Sequence, residues 1–379
     1  MDDLISVLKP IEHANGLPNA CYIDENMHAK EAETIFKQGW AAIGFGCDVP
    51  KPGCIYPVEL HGIPLLMVRT KNNDVHVFEN VCRHRGMILV EEPAQLNGPI
   101  TCPYHAWSYD LEGHLKATPH VGGPNIHKDK TVQCKNLSLN RVKSALWRDV
   151  VFINLSGTAP EFDEIARPLR QRWAEFETDI HSGGADSMFT LEVDCNWKLA
   201  VENYCEAYHL PFIHPGLNSY SRLEDHYNIL DEHSYAGQGS YVFQPQLDEN
   251  GRSFPVFGGL SKKWDKAAEY CAFFPNVLFG VHKDHCYAIL LIPDGQGKTR
   301  ERVSIYYADE AALQPGYAEM RAINTRLWKG IFIEDIGVVE GMQRGRFAPS
   351  YDGGKFSPKM DTPTHHFHKW VAGQMQAAR

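Results

Sequence analysis

The chain has 379 residues, of which 43% are hydrophobic, 11% aromatic and 22% charged. That composition builds folded cores, two or three domains by length, and excludes disorder, collagen and coiled coil. A formal charge of −10 without a long Lys/Arg run argues against nucleic-acid or membrane-surface binding.

The N-terminus, MDDLISVLKPIEHANGLPNA, starts acidic and lacks the apolar core of a secretory signal. No apolar run approaches the roughly 18 residues of a membrane span. The expected compartment is the cytoplasm, where thiols stay reduced. Cys21, Cys47, Cys54, Cys134, Cys195, Cys205, Cys271 and Cys286 are read as small hydrophobes. Ten Cys are too few for a disulfide scaffold, and together with 19 His they make metal chemistry the first thing to test.

Residues 27–40 have helical spacing, with Ala32, Ile35, Phe36 and Trp40 on one face. From 41 to 155, short β-like runs (65–69, 75–78, 151–153) alternate with Pro and Gly, which predicts a small, loop-rich all-β unit. Helix is expected near 160–180, with Ile165, Leu169 and Trp173 in phase. It is expected again over 196–209, with Trp197, Val201, Tyr204 and Tyr208 near one face. Strand-like runs follow at 271–281, 286–292 and 302–307, the last two joined by a hairpin loop at 293–298. A long helical stretch covers about 309–344, and 346–379 reads as mostly irregular. This order predicts an all-β insert within an α+β domain.

Two constellations carry chemistry. Cys82-x-His84 and Cys102-x2-His105 each place a thiolate and an imidazole a few residues apart, on two segments able to face each other. Four such ligands suit a closed zinc site or a [2Fe–2S] cluster with both Cys on one iron and both His on the other. The spacings are not those of a zinc finger. Further on, His209 and His214 lie in NWKLAVENYCEAYHLPFIHPG, with Glu206 three residues before His209 and so on its face in a helix. Two imidazoles and one carboxylate make the facial triad of non-haem Fe(II) oxygenases. The third ligand must then be a carboxylate distant in sequence.

The run C-R-H-R-G…C-P-Y-H-A-W resembles the Rieske cluster motif of ring-hydroxylating oxygenase α subunits, and N-W-K-x3-E-N-x2-E-x-Y-H-x4-H resembles the iron motif of the same family. The resemblance spans nearly the whole chain. It implies that Cys82 and Cys102 hold one cluster iron and His84 and His105 the other, with Trp107 and Tyr104 shielding them. It implies Asp335, ahead of Gln343 on the late helix, as the third ligand to Fe(II) beside His209 and His214. Its neighbour Glu334 reads as a solvated helix residue. By the same resemblance Glu206 links an iron-ligating His to a cluster His of the neighbouring subunit. Glu rather than Asp at this place resembles the glycine-betaine and carnitine monooxygenase branch. Asn203 and Tyr208 match family positions near the iron.

The fold so implied is α+β: a helix-grip, START-like catalytic domain (1–37 and 159–379) with an inserted Rieske domain (38–158). Electron transfer crosses between subunits in such proteins, which implies a head-to-tail ring, most simply a homotrimer. No nicotinamide-binding G-x-G-x-x-G is present, and GQGKT at 295–299 lacks the first Gly of a P-loop. Electrons are therefore expected from a separate NAD(P)H-dependent reductase, directly or through a ferredoxin, docking near His84 and His105. The reaction class is hydroxylation of a small organic substrate by O2. Tyr220, Tyr227, Tyr235, Tyr241, Phe243, Trp264, Phe273, Phe274 and Phe279 are the candidate pocket aromatics. They suit an aromatic cage for a quaternary ammonium, with N-demethylation as the outcome, or a slot for an arene. A non-catalytic zinc-binding protein is the alternative of another class.

Overall fold

The computed structural model describes residues 2–231, 234–247 and 251–377. The chain divides into two compact units, Gln38–Ala159 and a second built from Met1–Lys37 with Pro160–Arg379.

The first unit is all β. Its strands are β1 (Ala41–Phe45), β2 (Cys54–Leu60), β3 (Ile63–Arg69), β4 (Val75–Glu79), β5 (Ala94–Gln95), β6 (Ile100–Thr101), β7 (Ser108–Tyr109), β8 (Leu115–Ala117), β9 (Arg141–Trp147) and β10 (Val150–Asn154). Seven make one antiparallel sheet in the order β1-β10-β9-β4-β3-β2-β5, and β6-β7-β8 form a second. Two hairpins, at His61-Gly62 and Arg148-Asp149, turn in two residues that all have positive φ. Such turns match the twist of the strands they join. The small sheet and the β4–β5 loop enclose a core of Ile55, Leu66, Phe78, Leu89, Trp107 and Tyr109, into which Cys82 and Cys102 are also packed.

The second unit is α+β. Helices α1 (Ala20–Ile23), α2 (Glu25–Glu31), α3 (Phe162–Arg172), α4 (Trp197–Cys205), α5 (Leu210–Ile213), α6 (Pro215–Asn218), α7 (Ala318–Gly345) and α8 (Thr362–Ala377) accompany one antiparallel sheet. Its strands are β11 (His181–Ser182), β12 (Met188–Val193), β13 (His226–Leu230), β14 (Tyr235–Ser240), β15 (Ala268–Phe273), β16 (Val277–Val281), β17 (His285–Pro293) and β18 (Thr299–Tyr307). The order is β11-β18-β17-β16-β15-β14-β13, and β12 also pairs with β18. Gln238, Tyr270, Gly280, Tyr287 and Ile305 lie opposite one another across five strands, so they share a face. The α7 helix packs on that face: Trp328 sits 4.6 Å from Tyr287, ring centre to ring centre.

Several expected elements differ. The helix expected over 27–40 is α2, capped by the Asp24 carboxylate, followed by a π-helical turn at Ala32–Phe36. The run 271–281 is two strands, because the chain turns at Phe274-Pro275. The stretch 309–344 is two 3-10 turns and then α7. The tail is not irregular. Thr362–Ala377 is helical, with Phe367, Val371 and Met375 buried at i, i+4 and i+8. The helix expected over 196–209 stops at Cys205, and Glu206 is extended at φ −127° and ψ 158°.

The N-W-K run fastens this unit together. Asn196 caps α4 through Lys198 N, while its own N–H donates to Gln343 Oε1 on α7 (3.0 Å). Trp197 packs edge-on against Phe36 and Phe367. Lys198 Nζ meets both oxygens of Glu31, at 2.6 and 2.8 Å, with both side chains fully buried. A buried ion pair of this kind fixes how α2 meets α4, because either partner left alone is strongly unfavourable.

Candidate metal centres and active-site cavity

The two cysteine loops of the first unit are built alike. Cys82 N–H donates to Met87 O (2.8 Å) and Gly86 N–H to Cys82 O (3.1 Å). Cys102 N–H donates to Trp107 O (2.8 Å) and Ala106 N–H to Cys102 O (3.0 Å). Each loop closes through a left-handed residue, Gly86 at φ +75° and Ala106 at φ +56°. Glycine takes that conformation freely, whereas alanine holds it only because the loop demands it. Both thiols are buried and in no disulfide. The His84 and His105 rings face each other at 4.7 Å, His84 exposed and His105 half-buried. Trp107 stacks on His84 (4.6 Å, 8°), and Tyr104 lies against His105 at 3.7 Å. Partial burial, then the His105 and Arg85 charges, pull His84 below its ordinary range, toward the neutral imidazole that ligates.

This donor set fits a two-iron cluster. His105 Nδ1 is buried and makes no hydrogen bond. A single tetrahedral zinc with bonds of at most ~2.3 Å needs all its ligand atoms within about 4.6 Å of one another. Among the described residues no three of these four bring ligand atoms within 4.8 Å, so they do not converge on one ion. Tyr109 supports the sulfur side. Its buried hydroxyl accepts from Arg83 N–H (3.0 Å) and lies 3.4 Å from Cys82 Sγ, placed to donate to that sulfur when it is a thiolate.

A second group does converge on one point. His209, His214 and Asp335 place ligand atoms within 4.8 Å of one another. Asp335, on α7, lies 3.0 Å from His214 Nε2 and 3.6 Å from His209 Nε2 through Oδ1, an oxygen that is buried and makes no well-aligned hydrogen bond. Two Nε2 atoms and one carboxylate oxygen thus face a common centre, the donor set of a facial triad. Their far sides are held by other carboxylates. His209 Nδ1 contacts Glu206 Oε1 (2.6 Å), and His214 Nδ1 contacts Glu334 Oε2 (2.7 Å). Both contacts fix the tautomer that leaves Nε2 free for metal. Burial lowers His214, but Asp335 and then Glu334 outweigh it and shift the net direction upward.

Glu206 does not reach His209 along a helix, as the sequence reading expected. Because α4 ends one residue earlier, its carboxylate instead caps the next turn. Oε2 accepts from Tyr208 N and from His209 N, while Oε1 holds the ring. Gln238 Nε2 anchors the Glu206 carbonyl from β14 (3.0 Å). Glu334 is a correction: although 46% exposed, its side chain bonds the buried His214 and is no solvated bystander. Its only sequence signal is adjacency to Asp335. Asn203 lines the cavity beside the triad, whereas Tyr208 is half exposed and lies off its walls.

That cavity is small, about 50 Å³, and aromatic. Its rings are Tyr204, Tyr270, Tyr287, Trp328 and Phe332. None of the nine aromatics expected from sequence lines it. Tyr227 bonds Glu269, Tyr241 is exposed, and Phe243 stacks behind Trp328. For those on strands, Tyr227, Tyr235, Phe273 and Phe279, alternation is the reason: Tyr270 faces α7, and its neighbour Glu269 faces α3 through Arg172 and Trp173. Gly280 makes room for the Tyr287 ring, which a Cβ there would meet at 2.4 Å.

Residues 180–377 match the family described as ring hydroxylating alpha subunit (catalytic domain), and residues 39–136 match the Rieske [2Fe-2S] domain. Putrescine 2-hydroxylase of Ralstonia nicotianae is 27% identical over 98% of both chains. Choline monooxygenase of Arabidopsis thaliana is 26% identical over 95% of this chain and 82% of its own. The solved structure of the quaternary ammonium Rieske monooxygenase CntA has a TM-score of 0.79 at 23% identity, covering 98% of both chains.

Proposed function

The chain belongs to the Rieske-type ring-hydroxylating oxygenases, terminal oxygenases that use O2 and electrons from outside, and within that family we propose that it hydroxylates a small cationic amine. The observation that carries the substrate reading is the cavity beside the triad, small and walled by five aromatic rings. Ring faces attract a cation, and so little space suits a compact amine better than a fused arene. The relatives named for choline and putrescine point the same way. Quaternary-ammonium or N-methyl substrates are the leading class, with hydroxylation beside nitrogen releasing formaldehyde.

In this reading Cys82, His84, Cys102 and His105 hold the [2Fe–2S] cluster, and His209, His214 and Asp335 hold Fe(II). When bound there, the cluster would supply electrons one at a time and the Fe(II) a site of O2 activation. The surrounding residues set the stage. Glu206 and Glu334 orient the two imidazoles, and Asn203 presents an amide to the cavity wall. Tyr204, whose hydroxyl donates to Phe279 O (2.9 Å) and lies 3.0 Å from Tyr287 Oη, stiffens the wall toward the sheet. Residues 38–158 serve as the electron-carrying domain, and 1–37 with 159–379 as a helix-grip catalytic domain closed by α7. Electrons would come from NAD(P)H through a separate reductase, and Glu206 would link the His209 imidazole to a cluster imidazole of the neighbouring subunit in a ring, most simply a cytoplasmic homotrimer. No helix among the described residues is long and apolar enough to cross a membrane.

The test is oxygen uptake with a surrogate reductase across choline, glycine betaine, carnitine, putrescine and simple aromatic acids. Uptake with an amine, with formaldehyde released from an N-methyl substrate, supports the reading. Uptake with the aromatic acids alone overturns it.

A further inference from the structure

A second cavity, of about 30 Å³, lies against the first and shares Asn203, Tyr204, Phe332 and Asp335 with it as walls. On its floor stands a group with no role in the metal centres. Glu301 lies on β18, opposite Leu291 and Leu191 in the sheet, at 9% exposure. Among the described residues its carboxyl makes no hydrogen bond and no ion pair, and no Lys, Arg or His lines this cavity. Its strand neighbour Arg300 faces away, onto Glu192 (2.7 Å). The remaining walls include Leu278, Ile289 and Val339.

A carboxylate buried among aliphatic side chains without a partner is costly. Each such group in a native interior calls for an explanation, and an occupant that completes it is one. Asp335 has a proposed use as a ligand, which leaves Glu301 as the uncompensated negative group of this space.

We propose that Glu301 is the counter-charge for the substrate's cationic nitrogen, seated at the inner end of the cavity next to Asp335. This rests on the amine reading above and deepens it. The aromatic rings hold the body of the amine, and Glu301 selects for its charge. A neutral arene would leave this carboxyl without a partner, so charge, rather than size alone, decides what enters. Where the nitrogen bears N–H groups, they donate to the carboxylate. A quaternary nitrogen gains the electrostatic attraction alone.

The experiment compares the metal-loaded wild type with Glu301→Gln, which keeps shape and removes charge. Binding of choline, putrescine and 3,3-dimethylbutan-1-ol, the neutral carbon isostere of choline, is measured anaerobically by calorimetry. Wild type is expected to prefer choline over the neutral isostere. In Glu301→Gln, choline affinity falls on the order of ten- to hundredfold, putrescine by at least as much, and the neutral alcohol is unaffected. Thermal unfolding without ligand keeps the test clean: Glu301→Gln melts no lower than wild type, because a buried unpaired acid has been removed. Equal choline and putrescine binding by both proteins overturns the Glu301 assignment and leaves the amine reading standing. Absence of cation binding by wild type, with an aromatic acid turned over, overturns both.

Discussion

At the scale of single residues, carboxylates and a phenol set the chemistry around each metal donor set. Glu206 holds the His209 ring and the next turn at once. Glu206→Gln keeps the shape but removes the carboxylate charge that faces the His209 ring. Iron content is expected to stay full while single-turnover electron transfer from the reduced cluster slows at least tenfold; unchanged turnover would remove the bridging role. Tyr109 acts on the cluster domain through Cys82. Hydrogen bonds to cluster sulfurs help set the potential. Tyr109→Phe removes one bond of about 1 kcal/mol, or ~40 mV for one electron, so a redox titration should find the potential lowered. The candidate Cys and His donors stood out in the sequence because the chemistry pairs such residues at short spacings, whereas Asp335 was reached only through the family resemblance. Glu334 and Glu301 did not stand out. The first looks like any helix-surface acid, and the second like any strand residue, until the fold brings them to the site.

At the scale of elements, buried ion pairs decide how helices meet the sheet and each other. Lys198 and Glu31 join α4 to α2. Lys198→Met strands a buried carboxylate and should destabilise the catalytic unit by about 3–5 kcal/mol in denaturant unfolding. A loss below 1 kcal/mol would show that the pair is dispensable. Glu269 joins β15 to α3, accepting from Arg172, Trp173 and Tyr227 at 2.7 to 3.0 Å. Burial raises its carboxyl, but Arg172 and the other donors override this and hold it below the ordinary range. A folded-state value below the unfolded one contributes stability above the ordinary range, near 4.3, and that stability is lost as pH falls further. Glu269→Gln should therefore flatten the acid limb of the stability–pH curve, and an unchanged limb would refute the linkage. Elements were less legible than ligands for physical reasons. Strand β14 carries Gly237 and Gly239, poor strand formers, because a Cβ at Gly239 would meet the Tyr227 ring at 2.4 Å. Helix α8 follows a Pro- and Gly-rich stretch and contains His, Phe and Trp, weak helix formers held in place by a buried Phe367–Val371–Met375 stripe. Glu206 left the helix because its carboxylate satisfies the next turn's N–H groups instead.

At the scale of the whole molecule, one chain carries two unlike donor sets. One is a pair of matched Cys/His loops that do not converge on a single ion, and the other is a His/His/Asp group that does. The pattern was legible early because each set is nearly local in sequence, apart from Asp335. The cavity was not, since its walls come from α4, α5, α6, α7 and four strands, and only the folded sheet and the packing of the helices on it decide which aromatics face inward. The most direct measurement is metal and sulfide analysis, with electron paramagnetic resonance, on anaerobically purified wild type and His209→Ala. Wild type should be brown and hold two cluster irons, two inorganic sulfides and one further iron per chain. His209→Ala should keep the colour, the sulfide and the reduced-cluster signal and lose the single iron. Colourless protein with stoichiometric zinc, or a His209→Ala variant with its full iron content, would contradict the account.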